Sequence, residues 1–186
     1  MSAGITDRFV HELNPGEKII WAGQPEQGLV LKLADILVIP FTFLWSGALL
    51  FGMFAAVMEE APSFFMVGFL PLVLIALYVT VGRFVLDIAQ RRATYYALTH
   101  ERVIILSGLL HQNIKSVNFR RLQEINVSVK RNGRGTITFG HIDPMAAMYE
   151  MWGSMYFARH HPAPRFEMID DVRMVYEMIK MLQREG

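Results

Sequence analysis

Two uncharged stretches decide the architecture of this chain: ILVIPFTFLWSGALLFGMFAAVM, residues 36–58, and FFMVGFLPLVLIALYVTVG, residues 64–82. The five residues EEAPS, 59–63, separate them. With a rise of about 1.5 Å per residue, either stretch as a helix is long enough to cross a hydrocarbon core about 30 Å thick. The sequence therefore predicts a transmembrane helical hairpin within residues 33–90, with its helices at 36–58 and 64–82.

The charges that flank the hairpin predict its orientation. Lys32 precedes the first stretch, and Arg83, Arg91 and Arg92 follow the second, whereas the turn holds two glutamates and no basic residue. Basic residues close to a membrane segment stay on the cytoplasmic side. We therefore expect a multi-pass protein of the cytoplasmic (inner) membrane with both termini in the cytoplasm. The first stretch starts too late and is too long for a cleaved signal peptide.

Composition argues against several functions. The absence of cysteine excludes disulfides and thiolate metal sites, and a net charge of +1 predicts no strong attraction to nucleic acid. Neither apolar stretch holds the ionisable residues that transport pathways usually need. No serine-histidine-acid arrangement, paired-carboxylate motif or phosphate loop occurs in a recognisable context. We expect no enzyme activity, no metal, no cofactor and no transport by a single copy.

The residues after the hairpin have the pattern of short strands. Aromatic and β-branched residues are concentrated at 94–99, 102–107 and 114–119, and apolar residues alternate with polar ones from 125 to 130. Asn132-Gly133 supplies a hairpin turn, after which Ile137 and Phe139 continue the inward face. Strands without intervening helices predict a curved antiparallel sheet or a small barrel.

The end of the chain changes to a helical period. Asp170 or Asp171 can cap a helix, and one face of that helix is apolar, formed by Val172, Val175, Ile179 and Leu182. We expect this helix to close a β-barrel over its core. The predicted architecture is an α+β membrane protein with a cytoplasmic lead at 1–32, the helical hairpin, and a cytoplasmic domain at 91–186.

Four segments, in this order around the hairpin, resemble the bacterial PH-domain membrane proteins (bPH type): LNPGEKIIWAGQP (13–25), YALTHERVIILSG (96–108), GRGTITFG (133–140) and FEMIDDVRMVYEMI (166–179). Members of that family carry a short lead, a membrane hairpin and a PH-like domain. The resemblance therefore implies a PH-like antiparallel β-barrel in a membrane setting, and it implies no catalytic residue. Within the first segment, we expect Ile19 to Trp21 to form a strand or a flap against the barrel.

Two groups of residues are candidate contact sites. The first is basic and lies at one hairpin tip, where it either binds anionic headgroups at about 1 kcal/mol per base or forms an ordinary solvated turn; it consists of Lys130, Arg131 and Arg134. The second is rich in methionine, a residue common on adaptable binding surfaces, and it either contacts a partner or the membrane or simply packs on the barrel. Its members are Met145, Met148, Met151, Trp152 and Met155.

These patterns favour a non-catalytic, membrane-anchored PH-like interaction module. We expect it to act as an accessory or assembly subunit of a membrane protein complex, with a membrane protein or a second copy of itself as partner. The alternative is a module that binds anionic lipids at the cytoplasmic membrane face. Membrane lipids are partners in either case, and nucleic acid is a partner in neither.

Overall fold

The computed structural model describes residues 3–31, 35–60, 62–109, 111–119, 124–140 and 163–185. The chain divides into two units. One unit, called the PH-like unit below, contains the described residues up to 28 and those from 88 onward. The other, the helical unit, contains the described residues of 29–87. The lead therefore folds into the same unit as the strands that follow the hairpin.

The long helices, most of the strands and the C-terminal helix follow one another as the sequence patterns predict. The chain begins with α1 (Ala3–Thr6), a 3-10 helix (Asp7–Glu12) and β1 (Ile19–Gly23). Next come α2 (Asp35–Met58), α3 (Ser63–Leu77), one π-helical turn (Tyr78–Gly82) and α4 (Arg83–Arg92). The remaining elements are β2 (Tyr95–Thr99), β3 (Arg102–Ser107), β4 (Asn113–Asn118), β5 (Ile125–Val129), β6 (Gly135–Phe139), β7 (Arg165–Ile169) and α5 (Val172–Glu185). Strand β7, the two short helices of the lead and α4 are additions that no sequence pattern predicted.

The described strands form two antiparallel sheets, of order β1-β2-β3-β4 and β5-β6-β7. No ladder joins the two sheets within the described ranges, so the prediction of a closed barrel is wrong. One physical reason lies directly after β1, where Pro25 has no N–H to donate to a ladder. A backbone hydrogen bond from Glu26 N–H to the Met168 carbonyl (2.9 Å) spans this gap. Met168 itself has a φ of 48°, which interrupts the regular extension of β7.

One core lies between the sheets and α5. Phe166 is at its centre, with its ring centroid 4.8 Å from that of Tyr96, 5.1 Å from Phe139 and 5.5 Å from Trp21. The predicted apolar face of α5 packs here, since its residues Val172, Val175 and Ile179 are completely buried. The helix is therefore placed against the sheets as the sequence predicts.

A second apolar layer covers the other face of the four-stranded sheet. Phe9, on the 3-10 helix of the lead, is 0% exposed and packs with Ala97, Ile104 and Leu106. Strands β2 and β3 are thus buried on both faces, which explains why their sequences are nearly continuous apolar runs rather than alternating ones.

In the helical unit, α2 packs against the helix that follows it. Gly52 faces the Phe69 ring, and the Thr80 hydroxyl, within the π turn, lies 3.0 Å from that of Ser46. Towards the start of α2, Asp35 forms an ion pair with Arg83 at 2.9 Å, and both side chains are almost buried.

Two helical segments of this structure are long and apolar enough to cross a membrane. The first is α2 (Asp35–Met58), and the second is Val67–Arg92, which runs from α3 through the π turn to the end of α4. In the most apolar 18-residue stretch of each segment, only 11% and 6% of the residues, respectively, are buried. These helices therefore leave most of their apolar surface uncovered. In this they differ from the core helix of a soluble protein, which is mostly buried.

Candidate functional site

Charged residues of the lead fasten it to the turn between β2 and β3. Glu17 accepts two hydrogen bonds from the Arg102 guanidinium, at 2.9 Å from Nε and 2.8 Å from the second nitrogen. It also accepts from the Thr99 hydroxyl at 2.7 Å and from the Asn14 N–H at 2.8 Å. The Thr99 hydroxyl in turn accepts the backbone N–H of Arg102. The turn formed by residues 99–102 therefore binds the lead as well as connecting β2 to β3.

Electrostatics at this contact favour the ionised carboxylate. The hydrogen bond from Arg102 lowers the pKa of Glu17 to about 2, against an ordinary value of 4.5, although burial acts in the opposite direction. The same pairing raises the pKa of Arg102. Because the Glu17 side chain is 0% exposed, every hydrogen bond it accepts is made inside the protein. The pair is a structural contact that joins the lead to the turn between β2 and β3 within the PH-like unit.

A second charged contact ties the lead to the three-stranded sheet. Arg134, at the end of the β5–β6 turn, donates from Nε to Asp170 at 2.6 Å and from a terminal nitrogen to Glu26. The two carboxylates raise the pKa of Arg134. Together with Glu17, Glu26 lets the lead contact both sheets of the PH-like unit.

The predicted basic tip is a real turn, but its three bases have different surroundings. The Lys130 N–H donates to the Arg134 carbonyl at 2.7 Å, and Gly133, with a φ of 79°, closes the turn as the Asn-Gly pattern predicts. Lys130 and Arg131 are exposed. The charge of Arg134 is balanced by Glu26 and Asp170, so Lys130 and Arg131 are the tip cations that face solvent.

The other predicted contact site lies outside the described residues, and so does each of its members: Met145, Met148, Met151, Trp152 and Met155. Among the residues that are described, no group of three or more histidine, aspartate or glutamate side chains is arranged to hold a metal ion.

Sequence reasoning missed the ion pairs and a surface cavity of the PH-like unit. The partners Glu17 and Arg102 are 85 positions apart, and no local pattern connects them. The cavity, of about 400 Å³, lies between Arg8, Tyr95 and the β3–β4 loop. It depends on the packing of the lead against β2, which no periodicity in the lead predicts.

Comparison with known proteins identifies the family of this chain. No curated protein and no solved structure matches the chain. A family model described as bacterial PH domain matches residues 36–180, well over half of the chain. The matched region includes both long apolar helices, all strands from β2 to β7 and most of α5. The chain therefore belongs to the bacterial PH domain family.

Proposed function

We propose that this protein is a non-catalytic interaction module that two transmembrane helices anchor in the cytoplasmic membrane, with its PH-like unit and both termini in the cytoplasm. The observation that carries the proposal is the low burial, 11% and 6%, of the most apolar parts of the two long helices. Side chains such as Leu37, Phe43 and Leu44 are more than two-thirds exposed. Exposing that much apolar surface to water is unfavourable, and a bilayer removes the cost.

Within this proposal, the PH-like unit supplies the contact with a partner. A PH-like domain indicates an interaction module, and the charged contacts found in this one hold the lead in place. We propose that the module serves as an accessory or assembly subunit of a membrane protein complex, with another membrane protein or a second copy as its partner.

Membrane topology can be tested directly because the chain has no cysteine to remove. Glu59→Cys places a thiol in the turn between the helices, and Arg173→Cys places one on the exposed side of α5. In spheroplasts, a membrane-impermeant maleimide should label the first variant, and it should label the second only after lysis. Release of the protein from membranes by alkaline carbonate, or the reverse labelling pattern, would contradict the proposed anchor.

The accessory role requires a partner that survives gentle extraction. The tagged full-length chain should be purified from native membranes in a mild detergent, identified by mass spectrometry and sized by native mass spectrometry. An untagged strain is the control for carry-over. We expect a stoichiometric membrane protein or a defined homo-oligomer, and recovery of monomer alone at native expression levels would count against the role.

A second candidate function is binding of anionic lipid by the β5–β6 turn. The exposure of Lys130 and Arg131 favours it, and each base near an anionic surface contributes about 1 kcal/mol. The full-length chain in phosphatidylcholine nanodiscs should then sediment with phosphatidylglycerol vesicles. This sedimentation should be lost in the double variant Lys130→Gln/Arg131→Gln and kept in the control Arg173→Gln. Equal sedimentation of both variants would exclude the turn as the lipid site.

A further inference from the structure

The surface cavity of the PH-like unit has a wall built from several separate segments. The 3-10 helix of the lead supplies Arg8, and the end of β3 supplies Leu106 and Ser107. The rest of the lining comes from the start of β2 and the residue pair before it, with Ala93 and Tyr95, and from the β3–β4 loop, with Gly108, Leu109 and Gln112. At about 400 Å³, the cavity falls in the range of sites for small organic molecules. Gly108 fixes the loop, since it has a φ of 131° and a Cβ there would lie 1.9 Å from the His111 carbonyl oxygen.

The polar lining of the cavity favours an anion. Arg8 is the charged member, and none of the described lining residues is acidic. Its guanidinium carbon lies 4.4 Å from the centre of the Tyr95 ring, which leaves the N–H groups at the edge of the guanidinium for other acceptors. Among the described residues, no carboxylate forms an ion pair with Arg8. Tyr95, Ser107 and Gln112 also line the cavity, and each has a side-chain group that can donate a hydrogen bond.

The number of donors and the apolar part of the lining narrow the class of ligand. A phosphate group offers three strong acceptor oxygens, one more than a carboxylate, and a guanidinium can bind two of them at once. Leu106 forms part of the apolar lining, and Leu109 is a partly exposed side chain at the edge. Because Leu106 is only 2% exposed and Leu109 is 47% exposed, Leu109 offers most of the apolar contact. A cavity of this volume has room for a phosphate together with a small organic group that contacts Leu109.

We propose that this cavity binds a small organic phosphate, with Arg8 as the ligand of the phosphate oxygens. The phosphate belongs either to a free metabolite or to the headgroup of a phospholipid. The site is separate from the β5–β6 turn, and its cation comes from the lead, outside the residues 36–180 that match the family. Membership of the family therefore does not account for it, and the proposal does not depend on the accessory role.

Native mass spectrometry of the full-length chain in detergent tests the proposal. The probes are glycerol 3-phosphate for a free organic phosphate, dioctanoyl phosphatidic acid for a headgroup, and glycerol as the uncharged control. Arg8→Gln removes the charge and keeps a polar side chain, while Leu109→Glu places a carboxylate at a position that is 47% exposed and lies outside the core. Arg173→Gln is the matched control, because it removes an exposed cation from the outer side of α5.

We expect one of the two phosphates to bind with a stoichiometry of one and glycerol not to bind. Arg8→Gln and Leu109→Glu should each weaken binding by about tenfold or more, and Arg173→Gln should stay within about twofold of the unmodified chain. Binding of glycerol 3-phosphate identifies a free phosphate as the ligand, and binding of phosphatidic acid alone identifies a headgroup. If Arg8→Gln lowers the melting temperature, the folded Leu109→Glu variant decides the test.

Three results would overturn the proposal. The first is that neither phosphate binds the unmodified chain. The second is that a folded Leu109→Glu variant binds as tightly as the unmodified chain. The third is that Arg173→Gln loses as much affinity as Arg8→Gln, since that would show attraction to general surface charge rather than to this cavity.

Discussion

Replacing Glu17 by glutamine tests whether the lead is a folded part of the PH-like unit. The substitution removes the charge that Arg102 binds through two hydrogen bonds and keeps the size of the side chain. The difference between a pKa of about 2 in the fold and an ordinary value of 4.5 corresponds to about 3 kcal/mol of stability at neutral pH. Because the Arg102 side chain keeps 21% of its surface exposed, solvent screens part of the interaction. We therefore expect Glu17→Gln to lower the free energy of unfolding by about 2 kcal/mol.

The loss should depend on pH in a defined direction. A carboxyl group whose pKa is lowered by folding stabilises the folded state fully above its unfolded value of 4.5. That contribution disappears as the pH falls towards about 2, where the folded protein also takes up the proton. The difference in stability between the unmodified chain and Glu17→Gln should therefore be constant from neutral pH down to about 5 and shrink below it.

Urea unfolding in mild detergent, followed by the fluorescence of Trp21, measures this difference. Replacing Trp45 and Trp152 by phenylalanine leaves Trp21, beside the core of the PH-like unit, as the emitting tryptophan. Glu177→Gln, on the exposed side of α5, is the control and should change the free energy of unfolding by less than about 0.5 kcal/mol. An effect of Glu17→Gln as small as that of the control, or a difference that persists unchanged at low pH, would show that the ionised Glu17 carboxylate does not stabilise the PH-like unit.

Three further substitutions test the packing in each unit. Phe9→Ala should lower the free energy of unfolding by about 3–5 kcal/mol, because Phe9 is completely buried. The control Val10→Ala, at a residue 60% exposed, should lower it by less than about 0.5 kcal/mol. Equal effects in the same urea titration would show that the lead does not pack on β2 and β3. Gly135→Ala should cost about 2 kcal/mol in that titration, since its Cβ would lie 2.2 Å from a carbonyl oxygen of β5, and an unchanged midpoint would contradict the close approach. Asp35→Asn should lower the melting temperature in detergent because it leaves Arg83 without the carboxylate it pairs with at 2.9 Å. The exchange of both residues, Asp35→Arg with Arg83→Asp, should recover part of the loss, and no recovery would argue against the ion pair.

The elements that the sequence predicts are those whose signal is local. The uncharged stretches identify the two long helices, and alternation identifies β5, because each pattern depends only on neighbouring residues. Strand β7 lacks such a signal for a reason visible in its register. Gly135 pairs with Ile169 and Ile137 with Phe166, so an irregularity at Met168 lets two residues three positions apart both face the core. A strand whose buried residues are three positions apart lacks the alternation of apolar and polar residues that predicts a strand.

The packing of the lead on the four-stranded sheet could not be predicted from local sequence patterns. Its role follows from the sequence of β3, where Val103 and Ile105 face the core while Ile104 and Leu106 point to the opposite side, so that this sheet needs a cover on each face. The core between the sheets covers one face, and Phe9 covers the other. The match to the family begins at residue 36, after both Phe9 and the strand β1 that pairs with β2. The matched residues alone would therefore leave one edge and one apolar face of the four-stranded sheet uncovered, and the lead completes the fold of the unit that carries the proposed interactions.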